Sequence, residues 1–249
     1  MGIEHTRDVE LEEQEPRHYE NMHGVFVGID DYQNPQVSDL GGCVGDAVRL
    51  SEAFDPLLSS NKTLLNGMGT QRIILTELEK TARSAKDGDL VVFFYAGHAN
   101  IHYDRYFLFP VDADDVASAL PFDSILWMLS SFSCHSLIII DSVKAGAVGF
   151  DSSRFRNARS SILVSCAPNE FTLELDIDGI KQGAFTASVV KALRTSYRDN
   201  RKLTLIELFE QIYDETKRLT DNRQHPILIG TLDYGLVVAD PTRAKRDPP

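Results

Sequence analysis

The sequence predicts an α/β fold with a mostly parallel sheet, and three observations carry that prediction. Short apolar runs recur at Val25–Ile29, Leu90–Tyr95, Leu137–Ile140 and Ser161–Cys166. They are too continuous for strands with one wet face, and fit strands covered on both sides. Amphipathic stretches at helical spacing separate them, as crossover helices would. Finally, two of the runs deliver polar residues to small-residue turns: Leu90–Tyr95 leads into Ala96-Gly97-His98, and Ser136–Ile140 ends on Asp141 and runs on to Gly146. Chemistry on an open parallel sheet gathers at the carboxyl ends of its strands.

The elements follow in order. Residues 1–22 are polar and acidic and read as a flexible arm. Strand 25–29 leads to Asp30 and a loop with Asn34-Pro35, then to a helix opening at Gly41–Ala47 with Leu50, Ala53, Phe54, Leu57 and Leu58 on its apolar side. Lys62–Leu65 reads as a strand, and Thr70 as the N-cap of a helix running to about Ala85. Strand 89–95 precedes a hairpin arm at Tyr103–Pro110, and Pro121–Phe132 is helical. Strand 136–140 comes next, then a Ser/Arg/Gly-rich loop at 146–160, strand 161–166 and a polar loop at 167–182. Two helices follow, at Gly183–Leu193 and from Thr204 to Leu219. The second opens with a capping box, Thr204 with Glu207. Closing strands at 226–229 and 234–238 end the domain, before a flexible tail at 241–249. The expected organisation is therefore one domain over 23–240, with a first part to about 150 and a second from about 160.

Composition narrows the function. Of 249 residues, 25 are basic and 37 acidic, a net charge of −12, which argues against nucleic acid or an anionic membrane as partner. The expected partner is a protein or peptide, with a basic segment suiting the acidic balance. No apolar run reaches the about 20 residues of a membrane span. Cys43, Cys134 and Cys166 are odd in number and fit no zinc spacing, so they read as reduced thiols of a cytoplasmic protein. No phosphate-cradling glycine loop follows a strand, which weakens a nucleotide-binding reading.

Several motifs then appear together and in order. Tyr95-Ala96-Gly97-His98 resembles the Y-[AS]-G-H-G histidine motif of the caspase-like peptidases, the clan of caspases, metacaspases, paracaspases and orthocaspases. Gly28-Ile29-Asp30 resembles that family's opening strand, and Gly42-Cys43-Val44-Gly45-Asp46-Ala47 its GCxxDA segment. Tyr106–Asp112 resembles the arm after the histidine, and Gly183-Ala184-Phe185-Thr186 the start of the small-subunit region. The resemblance spans about residues 23–240. It implies a three-layer α/β/α sandwich, a Cys–His dyad and hydrolysis of peptide bonds.

One departure changes the expected activity. The family's central strand ends D-x-C-x-S-G, whereas this chain reads Asp141-Ser142-Val143-Lys144-Ala145-Gly146. The nucleophile position is Val143, which offers neither a lone pair nor a proton for His98 to take. Ala99 follows His98 where the family has the glycine whose N–H helps form an oxyanion hole. The resemblance also implies an acidic pocket for Arg or Lys, lined in the metacaspase-type branch by residues matching Asp46 and Asp141, with Cys43 beside them. The plainer alternative makes Asp46 a helix-start acid favoured by the helix dipole.

The expectation is thus a catalytically dead, caspase-like binding, regulatory or scaffold module. It would hold a basic peptide or regulate a partner protease in a cell-death or defence pathway. The alternative is an active cysteine endopeptidase cutting after Arg or Lys with another nucleophile. Cys166 ends a neighbouring strand at the right edge, whereas Cys134 lies at the opposite edge and Ser142 faces away from position 143. No cofactor is expected. Asp112, Asp114 and Asp115 read as an acidic surface loop, the alternative being a calcium site. An Arg-rich stretch at Arg154–Arg159 is a candidate for processing.

Overall fold

The computed structural model describes residues 16–149, 159–177, 179–230 and 235–245. Among them, six strands form the central sheet: β1 (Met22–Gly28), β2 (Leu58–Leu65), β3 (Leu90–Ala96), β7 (His135–Asp141), β8 (Ser160–Val164) and β12 (Ile227–Gly230). Their order is β12-β8-β7-β3-β1-β2. All neighbours run parallel except β12, which pairs antiparallel with β8 at the edge.

Helices cover both faces, and the strand residues divide between them. Val92, Phe94, Leu137 and Ile139 share a core with helices α1 (Cys43–Phe54), α4 (Ala184–Arg198) and α5 (Leu205–Leu219). The alternate residues Val91, Phe93, Ile138 and Ile140 face α2 (Gln71–Ser84) and α3 (Phe122–Ser130). This is the α/β/α sandwich, and it explains the unbroken apolar runs: period-two alternation disappears when both faces are dry. The Thr70 cap of α2 and the Thr204–Glu207 capping box of α5 form as their sequences predict.

Smaller elements frame the carboxyl edge. β4 (Ala99–His102) and β5 (Arg105–Leu108) make a hairpin that turns at Tyr103 and Asp104, with β6 (Leu120–Pro121) alongside. The expected arm at 103–110 therefore starts four residues early. The expected polar loop at 167–182 contains a second hairpin, β9 (Glu174–Ile177) with β10 (Ile180–Gly183). β11 (Leu203–Thr204) pairs with β13 (Val237–Ala239) outside the central sheet.

Both ends of the described chain pack more closely than composition suggests. Arg17 bridges Leu236, Tyr19 is buried, and β1 begins at Met22, inside the stretch read as a flexible arm. At the other end, Arg243 donates to the Tyr19 carbonyl and the Lys245 N–H to the Pro56 carbonyl, so residues 241–245 are held against the domain. The expected strand at 62–65 is likewise longer, starting at Leu58. Arg154 and Arg156 of the proposed processing stretch lie outside the described residues. Arg159 pairs with Asp87.

Candidate functional site

Strand register brings the predicted residues together. β3 and β7 pair with Ala96 opposite Asp141. Two residues further on, His98 and Val143 both line a cavity of about 330 Å³ at the carboxyl edge. Helix α1 brings Cys43 and Asp46 to it, and the β9–β10 hairpin brings Glu174 and Gly183. The helix approaches closely because residue 28 is glycine: a Cβ there would lie 2.4 Å from the Cys43 carbonyl oxygen. Asp30 fixes the helix end, accepting from the N–H groups of Cys43 at 2.9 Å and Val44 at 3.1 Å.

One wall is acidic and crowded. Asp46 Oδ2 accepts from the Gly183 N–H at 2.8 Å, and Asp46 Oδ1 pairs with Arg49 at 2.7 Å. Asp141 Oδ2 accepts from the Thr186 hydroxyl at 2.7 Å and the Thr186 N–H at 3.3 Å. Both carboxylates press on Gly183, where a Cβ would sit 2.5 Å from Asp141 Oδ2 and 3.0 Å from Asp46 Oδ2. Burial pushes Asp46 up to about 7, with the Asp141 charge adding to it against the pull of Arg49. Burial raises Asp141 too, and Glu174 adds to that. Asp141 has no ion-pair partner among the described residues. A buried carboxylate beside another, with one guanidinium between them, is short of positive charge.

The opposite wall holds His98 and Val143. Nε2 of His98 lies 2.7 Å from the Ser38 carbonyl oxygen, so it carries a proton in that contact and the neutral ring keeps its lone pair on Nδ1. The His98 N–H donates to the Tyr32 hydroxyl oxygen at 2.7 Å, and the two rings stand 5.0 Å apart. The Val143 carbonyl accepts from Tyr106 at 2.9 Å. The cavity therefore holds a histidine base, and at the end of β7 it has a side chain with no proton to give.

Other candidate nucleophiles are elsewhere. Ser142 is buried and its hydroxyl donates to the Gly97 carbonyl at 2.6 Å. Cys166 has no exposed surface, does not line the cavity, and burial pushes its thiol up to about 11. Cys134 is buried beside the start of β7, at the opposite edge. Cys43 does line the cavity, but burial and the neighbouring acids Asp30, Asp141 and Asp46 hold its thiol well above the ordinary range. None of these thiols is placed to ionise near neutral pH.

With this geometry in view, the sequence matches the family model of the caspase domain over residues 23–234. The chain belongs to the caspase-domain family. Solved structures agree on the fold. A protein of Geobacter sulfurreducens superposes with a TM-score of 0.64 at 17% identity, covering 90% of this chain and 99% of its own. Caspase-1 of Spodoptera frugiperda gives 0.68 at 14% identity, covering 90% and 92%. No curated protein matches the sequence.

Within this caspase domain some expectations shift. Ala99 belongs to β4 and lines a neighbouring cavity of about 250 Å³ with Gln36, Val37 and Ser38, which meets the acidic one at His98. Asp112 accepts from the Gln71 N–H at the start of α2, and Asp115 accepts from the Ala117 and Ser118 N–H groups. Among the described residues no group of three or more His, Cys, Asp or Glu is placed to hold a metal ion. Nor is any helix there long and apolar enough to cross a membrane. Arg49 and Tyr32 were not singled out in the sequence, and Thr186 only as the end of the Gly183–Thr186 motif. The Asp46–Arg49 spacing of three on one helix is the single local clue among them.

Proposed function

We propose that this caspase domain binds rather than cleaves, taking an Arg or Lys side chain of a protein or peptide into the acidic cavity. The observation that carries the reading is that Val143 and His98 line one cavity with Asp46 and Asp141, which are intact and short of positive charge. A ligand guanidinium or ammonium there makes charge-assisted hydrogen bonds in a partly desolvated site. The role that follows is regulatory: holding a basic segment, that of an active caspase-like protease included, in a cell-death or defence setting.

The test combines turnover with trapping. Reporter peptides ending in Arg or Lys are bound by the wild type and not cleaved, with or without calcium. Val143→Cys places a thiol opposite His98, and the variant is labelled once per chain by a thiol-reactive arginyl peptide. Turnover by the wild type that disappears in His98→Ala would falsify the reading.

A further inference from the structure

We propose that the cavity selects a free C-terminal arginine or lysine, with the side-chain cation on Asp46 and Asp141 and the terminal carboxylate met by Lys144. This rests on the basic-ligand reading and adds a second point of recognition. The class of reaction that supplies such a ligand is hydrolysis of a peptide bond after a basic residue, in which water leaves a carboxylate where the amide was.

The first support is the distribution of charge. Asp46, Asp141 and Glu174 line the cavity, and no Lys or Arg of the described residues does. Lys144 directly follows Val143 and forms no ion pair among the described residues. Its Nζ stands 5.7 Å from the centre of the Phe171 ring. Phe171 is 64% exposed, and the next two residues, Thr172 and Leu173, line the cavity. The ammonium thus stands over an apolar ring whose next two residues line the cavity, and it is not neutralised by a carboxylate of the described residues.

The second support is the backbone. Lys144 has φ +55°, in the left-handed region where a β-carbon is unfavourable. The other non-glycine residues described there are Asn or Asp, save Tyr103 in the exposed turn of the β4–β5 hairpin. Both sides of Lys144 are pinned, by the Tyr106 bond to the Val143 carbonyl and by its own N–H donating to the Glu170 carbonyl at 2.9 Å. The chain therefore carries a lysine side chain at the rim despite the strain, and strained residues concentrate at ligand clamps.

The third support is what Val143 does to a peptide lying in the cleft. The ligand carbon that a nucleophile would attack comes to rest against the valine methyls. In a peptide that continues beyond the basic residue, a neutral amide occupies that place and offers Lys144 nothing. In a peptide that ends there, a carboxylate occupies it. Lys144 is the cation nearest to that place in sequence, and its ammonium has no carboxylate of the described residues to neutralise it.

Three synthetic peptides separate the possibilities by calorimetry at pH 7.5: acetyl-Ala-Ala-Arg as the free acid, the same peptide as its amide, and a longer peptide with the arginine internal. The free acid should bind about tenfold tighter than either other peptide. Lys144→Met should bring the acid down to the amide's affinity, and Lys144→Arg should restore the preference. Equal binding of acid and amide, or an acid preference that survives Lys144→Met, overturns the proposal while leaving the basic-ligand reading in place. Failure of all three peptides to bind, or binding indifferent to Asp141→Asn, overturns both.

Discussion

The acids of the cavity come from α1 and the end of β7 and its histidine from the end of β3, yet the two sets have been resolved differently. On the acidic wall every named carboxylate oxygen is held by a donor: Gly183 and Arg49 on Asp46, Thr186 on Asp141. On the opposite wall His98 is held as firmly, by Ser38 and Tyr32, but faces a methyl surface. Positioning and reactivity are therefore separable. A caspase-domain cleft can keep the apparatus that aims a histidine and still have nothing for it to deprotonate, while its neighbouring wall keeps a charge deficit that only a cation relieves.

The sharpest way to break this contrast is Asp141→Asn. Removing the carboxylate that has no ion-pair partner should weaken arginyl peptide binding by about 100-fold, or roughly 2.7 kcal/mol. Calorimetry measures it directly. Unchanged affinity would mean the acidic wall is not the binding wall.

The histidine wall should respond in stability rather than affinity. Tyr32→Phe deletes the acceptor of the His98 N–H while keeping the ring contact. An amide left unpaired there should cost about 2 kcal/mol of stability in denaturant unfolding. Affinity for an arginyl peptide amide should stay within about a factor of two. Equal losses in stability and affinity would show that the walls are one unit.

How far these walls could be read from the chain depends on the range of each interaction. The strands announce themselves because burial on both faces leaves runs such as Leu90–Tyr95 and Leu137–Ile140 without a polar break. Asp46, Asp141, His98 and Val143 were legible because each sits in a local motif beside a strand end or a helix start. The β9–β10 hairpin was not, since Glu174–Gly183 is mostly polar and turns at Gly179 with φ +78°. Thr186 and Tyr32 were hidden for a different reason. Their partners, Asp141 and His98, lie 45 and 66 residues away, and nothing local marks the pairing.

A third measurement uses acidity. Burial places Asp46 at about 7 in the empty cavity, and a bound cation favours its ionised form. Binding therefore releases a proton below that value, and affinity falls as pH falls through it. Between pH 8 and pH 6 the loss should be about tenfold, the linkage of one proton. A flat profile would mean that Asp46 stays charged throughout, with Arg49 alone satisfying it.

The smallest effect concerns the stability of the wall itself. Both carboxyls are raised above their unfolded values, so they favour the folded state at low pH. That contribution is lost as pH rises through the folded values, about 7 for Asp46. At pH 8 the ionised Asp46 presses on Asp141, with Arg49 alone against the pair. The side-chain amide introduced by Asp141→Asn keeps an oxygen for the Thr186 hydroxyl and removes one charge. The variant should therefore be more stable at pH 8 by about 1 kcal/mol, a rise in Tm of about 3 °C for a chain of this size. At pH 5 Asp46 is protonated, its charge no longer presses on Asp141, and the gain should shrink. Scanning calorimetry of both proteins at the two pH values checks the sign. A variant that is less stable at pH 8 would mean that Asp141 serves the fold through Thr186. A variant that gains stability there while losing its ligand would mean that the charge is kept for binding.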